Sequence, residues 1–329
     1  MSRASVVAML VAVEILIAGI AIYVIGGNGG WHGMHRVAFA AAPIAPLEAG
    51  NSPRIAVDDP DSRVEVELST DGLVHVRDAT STRGFVYGSE KIAQLHVVRT
   101  ADGVSISRPH TDGWSGMHLV FGESTQKIYV DVPSGAHLEI ARCSGADVTG
   151  LTGGVNVHSV DGHITLANLQ GTIVAHSDDG YINATGIRGD SLTVQSNDGH
   201  ITLRDVTVPA LDARTNDGRV EASALTIAGA QPRATLHSND GSMHVKGSFA
   251  PGGAYEVSSN DGSIEVGLAG DADLTLTAST GDGKVYVDGS SQNQDGDSAQ
   301  HTIKLGAGSG SMKLATSDGS IHITTNGAQ

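Results

Sequence analysis

The chain has 329 residues, a formal net charge of −16, aromatic residues at only 4% and a single cysteine, Cys143. An acidic chain without a basic stripe or a run of base-stacking aromatic residues argues against nucleic acid as a partner. One cysteine excludes an intrachain disulfide, and the strand-like sequence around Cys143 predicts a buried structural thiol.

The first element is an apolar run over residues 5–25 that carries one charge, Glu14. At about 1.5 Å per residue, a helix of this length spans a bilayer core of about 30 Å. Arg3 precedes the run, which places residues 1–4 in the cytoplasm. The sequence therefore predicts a single-pass anchor in the lipid bilayer, with the body outside the cytoplasm, either periplasmic or at the cell surface.

Two further interpretations concern this anchor. Ala38-Phe39-Ala40 resembles a signal-peptide cleavage site, but it lies far beyond an apolar run that is long for a signal peptide, so the uncleaved anchor is favoured. A carboxylate such as Glu14 near the bilayer centre indicates contact with a partner membrane protein, although a simply tolerated glutamate remains the alternative.

A linker rich in Gly, Ala and Pro occupies residues 26–50 and holds the body away from the membrane. Residues 51–140 form an irregular β region without a regular repeat, in which the acidic segment at residues 58–61 is interpreted as a surface turn. Its alternating segments predict strands over Arg63–Leu68, Leu73–Val76, Leu95–Val98, Val104–Ser107, Met117–Phe121 and Lys127–Val132.

Residues 141–325 contain a repeat of about 19 residues, in which an Asp-Gly dipeptide separates two apolar-polar alternating stretches. Alternation predicts two strands per repeat, each with one buried face. The predicted structural turns are Asp161 and Gly162, Asp179 and Gly180, Asp198 and Gly199, Asp217 and Gly218, Asp240 and Gly241, Asp261 and Gly262, Asp282 and Gly283, and Asp318 and Gly319.

The turn sequence makes three further predictions. Glycine is expected to supply a positive φ. A Ser or Thr two positions before each Asp, such as Ser177 or Ser196, is expected to bond turn backbone groups. Asn197, Asn216 and their equivalents are expected to form a stacked amide ladder. The polar segment Gly289–Ser298 is expected to be a loop extruded from one coil.

Two architectures fit this pattern. Asp-Gly between alternating strands is typical of β-hairpins, which would pair the two strands of one repeat. A solenoid would instead pair each strand with its equivalent in the next repeat, and recurring residues in columns favour it. The predicted fold class is all-β, a single-chain parallel β-solenoid preceded by one transmembrane helix.

Candidate chemical groups are few, and no catalytic residue, cofactor or metal is expected. His158 and His176 fall in one outward column and could share a metal or a proton, but a solvated outer face is favoured. His32 and His35 in the linker could bind copper or nickel weakly and are interpreted as ordinary linker residues. The calcium-binding nonapeptide solenoid has a repeat about half as long, with its glycines before the aspartate, so a calcium site is not favoured.

The segment Val130–Ile140, together with the Ser-Asn-Asp-Gly-x-Ile copies that follow it, resembles a bacterial domain-of-unknown-function family of β-strand repeats described as adhesin-like. It is similar also to the adhesin head domains named for Gly-Ile-Asn repeats. The resemblance covers about residues 54–325. It implies an exported or membrane-anchored β-solenoid, with no established activity and no catalytic residue to carry over.

These observations predict a non-enzymatic surface, adhesion-like or envelope-scaffold module, whose partner is an unidentified envelope protein or glycan. The first alternative is an envelope-stress accessory that acts through membrane-protein partners, because some members of the resembling family accompany envelope-stress systems. The second alternative is a glycan-active β-helix enzyme, which would need grouped carboxylates and aromatic sugar platforms.

Overall fold

The computed structural model describes residues 34–38, 43–87, 93–109, 119–292 and 299–325. The predicted anchor over residues 5–25, including Glu14, lies outside the described residues. Among the residues that the structure describes, no helix is both long and apolar enough to cross a membrane. Every regular element in the described ranges is a β-strand, which confirms the all-β prediction.

The described residues form 29 strands, β1 to β29 in chain order. They are β1 (Met34–Ala38), β2 (Arg54–Asp58), β3 (Arg63–Leu68), β4 (His75–Asp78), β5 (Ser81–Tyr87), β6 (His96–Arg99), β7 (Gly103–Ser107), β8 (Leu119–Thr125), β9 (Lys127–Val132), β10 (His137–Cys143), β11 (Gly145–Thr149), β12 (Val155–Ser159), β13 (Ile164–Ala167), β14 (Thr172–Ser177), β15 (Ile182–Arg188), β16 (Ser191–Ser196), β17 (Ile201–Val208), β18 (Ala210–Thr215), β19 (Val220–Ile227), β20 (Arg233–Ser238), β21 (Met243–Phe249), β22 (Ala254–Ser259), β23 (Ile264–Leu268), β24 (Leu274–Thr280), β25 (Val285–Val287), β26 (Ser290–Ser291), β27 (Ala299–Leu305), β28 (Gly310–Thr316) and β29 (Ile321–Thr324).

The chain divides into two compact units. The smaller unit contains β1, β5 and β8, which form an antiparallel sheet with β5 in the centre. The prediction of a linker over residues 26–50 is therefore wrong for Met34–Ala38, including His35, because this segment pairs with β5. The larger unit contains the remaining strands in two sheets of 13 strands each. Sheet I has the order β27-β24-β28-β22-β20-β18-β16-β14-β12-β10-β2-β7-β6, and sheet II has the order β26-β25-β29-β23-β21-β19-β17-β15-β13-β11-β3-β9-β4.

The pairing of strands decides between hairpin and solenoid. Within each repeat, the strand before the Asp-Gly joins sheet I and the strand after it joins sheet II. Val194 of β16 pairs in parallel with Ala175 and Ala213 of the neighbouring repeats. This pairing confirms stacked coils and excludes a hairpin within the repeat.

The buried columns follow the predicted register. Ile164 pairs with Ile182, Ile182 with Ile201, and Ile201 with Val220, and all four side chains are completely buried. The apolar faces of both sheets contribute to one continuous core. Cys143 lies in this core, as predicted, and burial raises the pKa of its thiol.

The turn glycines owe their identity to close stacking, and the expectation of a positive φ is wrong for Gly180, Gly199 and Gly218, whose φ angles lie outside the left-handed region. A Cβ on Gly199 would lie 2.1 Å from the carbonyl oxygen of Gly180. A Cβ on Gly218 would lie 2.0 Å from the carbonyl oxygen of Gly199. Consecutive coils therefore approach so closely at this corner that no side chain fits between them.

Buried hydroxyl groups connect the same corners, as predicted. Ser196 Oγ accepts a hydrogen bond from the Gly199 N–H at 3.0 Å and donates to the Gly180 carbonyl of the previous coil at 2.9 Å. Ser177 makes the equivalent pair of bonds, at 2.9 Å to the Gly180 N–H and 3.0 Å to the Gly162 carbonyl. Each hydroxyl thus satisfies its own turn and ties that turn to its neighbour.

An amide ladder runs outside this row. Asn239 Nδ2 donates to Asn216 Oδ1 at 3.2 Å, and Asn260 Nδ2 donates to Asn239 Oδ1 at 3.4 Å. The backbone N–H of Asn216 donates to the Asn197 carbonyl at 3.0 Å. The predicted ladder is therefore confirmed for the side chains of the three later asparagines, and backbone bonds continue it to Asn197.

The two ends of the stack share an unexpected topology. The last coil of the sequence, β28 and β29, lies between the coil of β22 and β23 and the coil of β24 and β25. The first coil, β2 and β3, likewise lies between β7 and β9 on one side and β10 and β11 on the other. The sheets therefore extend into residues 51–140, the segment predicted as an irregular β region.

Antiparallel strands border both sheets beyond these terminal coils. They are β6 and β4 at one end and β27 and β26 at the other. The expectation of a loop over Gly289–Ser298 is wrong for Ser290–Ser291, which form β26 against β25; residues 293–298 lie outside the described residues. Three of these border strands are short, with two residues in β26 and four each in β4 and β6, and a short edge strand is one device that protects a sheet edge from further pairing.

The acidic segment at residues 58–61 also departs from expectation. Asp59, interpreted as part of a surface turn, is fully buried. Its Oδ2 accepts hydrogen bonds from Arg108 Nε at 2.7 Å and Ser62 Oγ at 2.8 Å, and Arg108 Nη2 lies 3.1 Å from Asp78 Oδ1. A buried carboxylate is tolerated here because the guanidinium group neutralises it and fills its hydrogen-bonding capacity.

The hydroxyl ladder leads to a stability prediction. Changing Ser196→Ala leaves the Gly199 N–H and the Gly180 carbonyl without their partner, so we expect the free energy of unfolding to fall by about 1–3 kcal/mol. The control is Ser191→Ala, because Ser191 is half-exposed at the other end of the same strand. Urea unfolding monitored by circular dichroism measures both, and equal losses would contradict the ladder.

The buried column leads to a second prediction. Ile201→Asp places an unpaired charge in the core and should lower the free energy of unfolding by about 3–5 kcal/mol. His200→Asp on the outer face should change it by about 0.5 kcal/mol or less. The aspartate can still accept the Arg219 N–H that His200 Nδ1 accepts at 3.0 Å. Similar melting temperatures for the two variants would refute the assignment of inward and outward faces.

Candidate functional site

The outer faces of the two sheets carry polar side chains in columns, because every inward position is occupied by the core. Ion pairs join neighbouring coils along these columns. Arg63 forms a bidentate pair with Asp147, with both N–O distances at 2.8 Å. Arg142 pairs in the same way with Asp58, at 2.9 and 3.0 Å. The solvent-facing surface is therefore a lattice of hydrogen-bonding groups on a rigid support.

A groove of about 1060 Å³ lies on sheet I, across the beginnings of β2, β10, β12 and β14. Its polar lining includes Arg54, Asp102, His137, Glu139, Asn156 and Asp190. Because the lining comes from four parallel strands, their preceding turns, and the residues Asp102 and Asp190 before the flanking strands β7 and β16, the relative positions of these groups are set by the register of the sheet.

Glycines produce the concave shape. Gly135, Gly153 and Gly171 line the groove at the corner where the chain enters sheet I. A Cβ on Gly153 would lie 2.4 Å from the Gly135 carbonyl oxygen, so the coils pack backbone to backbone at this corner. Gly171 has a φ of +83°, in the left-handed region that glycine adopts without strain. This second glycine series was not predicted, although it recurs along the sequence at the same interval as the Asp-Gly turns.

One ion pair lies within the groove. Arg54 Nε donates to Glu139 Oε2 at 3.2 Å, and this hydrogen bond with the carboxylate raises the pKa of Arg54. Both side chains are substantially exposed, at 58% for Arg54 and 40% for Glu139. Such exposed pairs contribute little to stability, so their groups are available to an incoming ligand at small cost.

A second, smaller pocket of about 680 Å³ opens on the outer face of sheet II. It lies beside a bulge where the register of β19 and β21 shifts between Ala222 and Leu225. Asp205 and Ala224 adopt positive φ angles of 51° at this bulge. The lining combines these bent residues with Lys246 and Glu265, whose side chains lie 3.5 Å apart.

The predicted turn residues occupy the corner between the sheets. All eight turn aspartates are exposed, one on each repeat. The glycines beside them perform the stacking described above. This corner is a line of solvated carboxylates with a structural backbone beneath.

A cluster of metal-ligating side chains lies beside this corner, on the side of sheet I. His158 and His176 are paired across β12 and β14, with their ring centroids 4.8 Å apart. Asp178 follows β14, and its Oδ1 lies 3.0 Å from His176 Nε2. The two histidines were predicted to lie in one column. Asp178 was not predicted as a third ligand, although the spacing His-x-Asp in the sequence was the available signal.

Aromatic side chains are found at a different place. The His163 and Tyr181 rings stack at 3.5 Å between centroids, before β13 and β15 of sheet II. Tyr181 is 40% exposed. Among the described residues, the lining of the sheet I groove includes no Phe, Trp or Tyr. The structure therefore does not combine grouped carboxylates with aromatic platforms in this groove.

Comparison with known proteins supplies the family. No curated protein matches the chain. One similar crystal structure is that of a proposed adhesin from Bacteroides fragilis, which is 14% identical with a TM-score of 0.38; the match covers 89% of this chain and 96% of that one. Another is that of a proposed cell adhesion protein from Clostridium sporogenes, which is 10% identical with a TM-score of 0.22; the match covers 89% of this chain and 99% of that one. The family model described as Toastrack DUF4097 matches residues 54–324, which confirms the resemblance seen in the sequence. The chain belongs to the Toastrack DUF4097 family.

Proposed function

We propose that this protein is a membrane-anchored, extracytoplasmic β-solenoid that acts as a non-enzymatic surface module, binding an envelope protein or glycan in an adhesion-like or scaffolding role. The observation that carries the proposal is the polar groove on sheet I. Its groups are held by four parallel strands, and a rigid repeat scaffold with an extended surface is typical of binding proteins.

The state of the groove's charged groups supports binding rather than catalysis. Glu139, a central carboxylate of the groove, is hydrogen-bonded to Arg54. A general acid or base is usually shielded from solvent, whereas Glu139 is 40% exposed. The exposed Arg54 and Glu139 side chains can give up their mutual hydrogen bond and bind polar groups of a partner instead.

The anchor is supported by the apolar run at residues 5–25, which has the length of a bilayer core and is preceded by Arg3. Residues 26–53 then separate the apolar run from β2, the first strand of the groove, and include β1 at Met34–Ala38. A partner would therefore meet the groove outside the membrane.

The envelope-stress accessory remains a second candidate function, and Glu14 is the observation that favours it. A carboxylate inside an apolar run is costly unless a partner helix contacts it. A photo-crosslinking amino acid at position 14 of the full-length chain tests this directly, because an accessory protein would form a specific crosslink with one membrane protein. The glycan-active enzyme has less support, since Tyr181 lies away from the groove.

The groove proposal predicts which surface the partner contacts. Asn156→Lys places a long charged side chain on the exposed groove floor, and we expect loss of the partner that is captured by the full-length, membrane-extracted protein. Thr235→Lys is the matched control, because Thr235 is an outward residue of sheet I remote from the groove. Protease or glycosidase treatment of the captured fraction identifies its chemical class. Equal capture by both variants would contradict the groove as the binding surface.

The anchoring proposal predicts a membrane-bound, uncleaved protein. Because residues 5–25 have spanning length, we expect the mature chain to begin at Met1 or Ser2, to resist extraction by high salt and to dissolve in detergent. Protease added to spheroplasts should digest or release the body. A mature N-terminus near Ala41, with the body in the soluble fraction, would replace the anchor with a cleaved signal peptide.

A further inference from the structure

We propose that His158, His176 and Asp178 form a binding site for a divalent transition-metal ion, with Zn²⁺ as the favoured occupant. This site is separate from the groove and goes beyond the proposed surface function. It depends on three side chains that the parallel stacking of β12 and β14 brings to one place, His158 from the first strand and His176 and Asp178 from the second strand and its turn.

The donor atoms already lie close together. His176 Nε2 is 3.0 Å from Asp178 Oδ1, and His158 Nε2 is 3.6 Å from Asp178 Oδ2. The ligand atoms of all three residues lie within 4.8 Å of one another. Zinc-ligand bonds of about 2.0–2.1 Å in a tetrahedron require donors about 3.3 Å apart. The two distances involve different oxygens of Asp178 and lie on either side of this value, so rotation of both the imidazole rings and the carboxylate is needed to bring all three donors to it.

The His158 nitrogen provides an independent observation. Its Nε2 atom is buried and has no hydrogen-bond partner in the described part of the chain, although the side chain as a whole is 41% exposed. The distance of 3.6 Å to Asp178 exceeds that of a hydrogen bond. A buried polar atom without a partner is unfavourable. A metal ion between Nε2 and the carboxylate would satisfy this atom.

The chemistry of the donors selects the class of ion. Two imidazoles and one carboxylate suit zinc, copper and nickel, whereas calcium and magnesium prefer oxygen ligands alone. Three protein ligands leave a coordination position of zinc for water or another ligand. The side chains are between 35% and 41% exposed, so the cluster lies at the surface, and rotation of the His158 ring would open its buried Nε2 atom to an entering ion.

The repeat itself shows why the site occurs at this coil. The position equivalent to His176 is Gln195 in the next coil, followed by Arg214. His237 occupies the same column further along and has the same spacing to Asn239 as His176 has to Asp178. Its two ring nitrogens, however, are bonded to Ser258 Oγ at 3.0 Å and Asn239 Oδ1 at 3.1 Å. His237 therefore offers a natural comparison: an outward histidine with both nitrogens satisfied and an amide in place of the carboxylate.

Zinc titration of the tag-free, full-length protein in mild detergent tests the site, with a chromophoric chelator in competition to suppress weak sites such as the linker histidines. We expect one Zn²⁺ per chain, undiminished by excess Ca²⁺ or Mg²⁺. Each of His158→Gln, His176→Gln and Asp178→Asn should weaken binding by about tenfold or more, since even indirect supporting residues of metal sites have effects of that size. His237→Gln should bind zinc like the unchanged protein.

A thermal measurement provides a second readout. An ion that binds only the folded chain raises the melting temperature, so zinc should stabilise the unchanged protein and His237→Gln but not the three ligand variants. Their melting temperatures without metal should match that of the unchanged protein, because all three substitutions lie on the outer face. Absence of stoichiometric zinc binding, or equal zinc affinity in the ligand variants and in His237→Gln, would overturn the proposal.

Discussion

The stack depends on the contact between successive Asp-Gly corners. At these corners, a glycine without a side chain lets the backbone of one coil approach the next, and a buried hydroxyl bonds the turn of the preceding coil. Serine hydroxyls such as that of Ser196 also accept the N–H of their own turn. The Gly180 carbonyl, for example, accepts from Ser196 of the following coil at 2.9 Å. A Cβ on Gly199 would come within 2.1 Å of the same oxygen. The spacing and register of the two sheets both follow from this contact, because it fixes every coil relative to its predecessor.

A stack built in this way needs ends that do not recruit further strands. The chain solves the problem by placing its first and last coils one position inside the stack and returning through antiparallel strands at the border. The terminal coil at each end is thus covered by border strands, of which β4, β6 and β26 are short enough to offer little edge for further pairing. The buried Arg108, paired with Asp59 and Asp78, lies at the N-terminal border, where the regular columns of the repeats are absent.

The repeated backbone leaves the outer faces free to differ from coil to coil. Inward positions carry apolar side chains or the buried hydroxyls of the turn row, whereas the outward column three residues before the turn aspartate contains His158, His176, Gln195 and Arg214 in successive coils. The same parallel register that stacks isoleucines in the core also stacks whichever side chains lie outside. A groove on one part of sheet I and a cluster of metal ligands on another therefore arise without any change in the scaffold.

The sequence by itself determined the local structure and the interior. Alternation of apolar and polar residues was sufficient to identify β3 and β9 to the residue. In the repeats, its interruption by Asp-Gly identified the buried column through Ile201 and the hydrogen bonds of the Ser177 and Ser196 hydroxyls to the turns. These features depend on contacts between equivalent positions of successive repeats, and such positions are visible in a sequence as columns.

Only the tertiary structure decided the features that join positions from different columns. The insertion of β28 and β29 beside β22 and β23 leaves no periodic signal, because any coil with the right alternation fits at that place. Asp59 was predicted to lie in a surface turn, but it is buried because Arg108, which is distant in the sequence, donates a hydrogen bond to its carboxylate. Asp178 likewise joined the two histidines because the chain bends at the corner and carries its carboxylate to their column. A pattern along the chain specifies which face of a strand is buried, but the meeting of side chains across a bend depends on the path of the backbone in space.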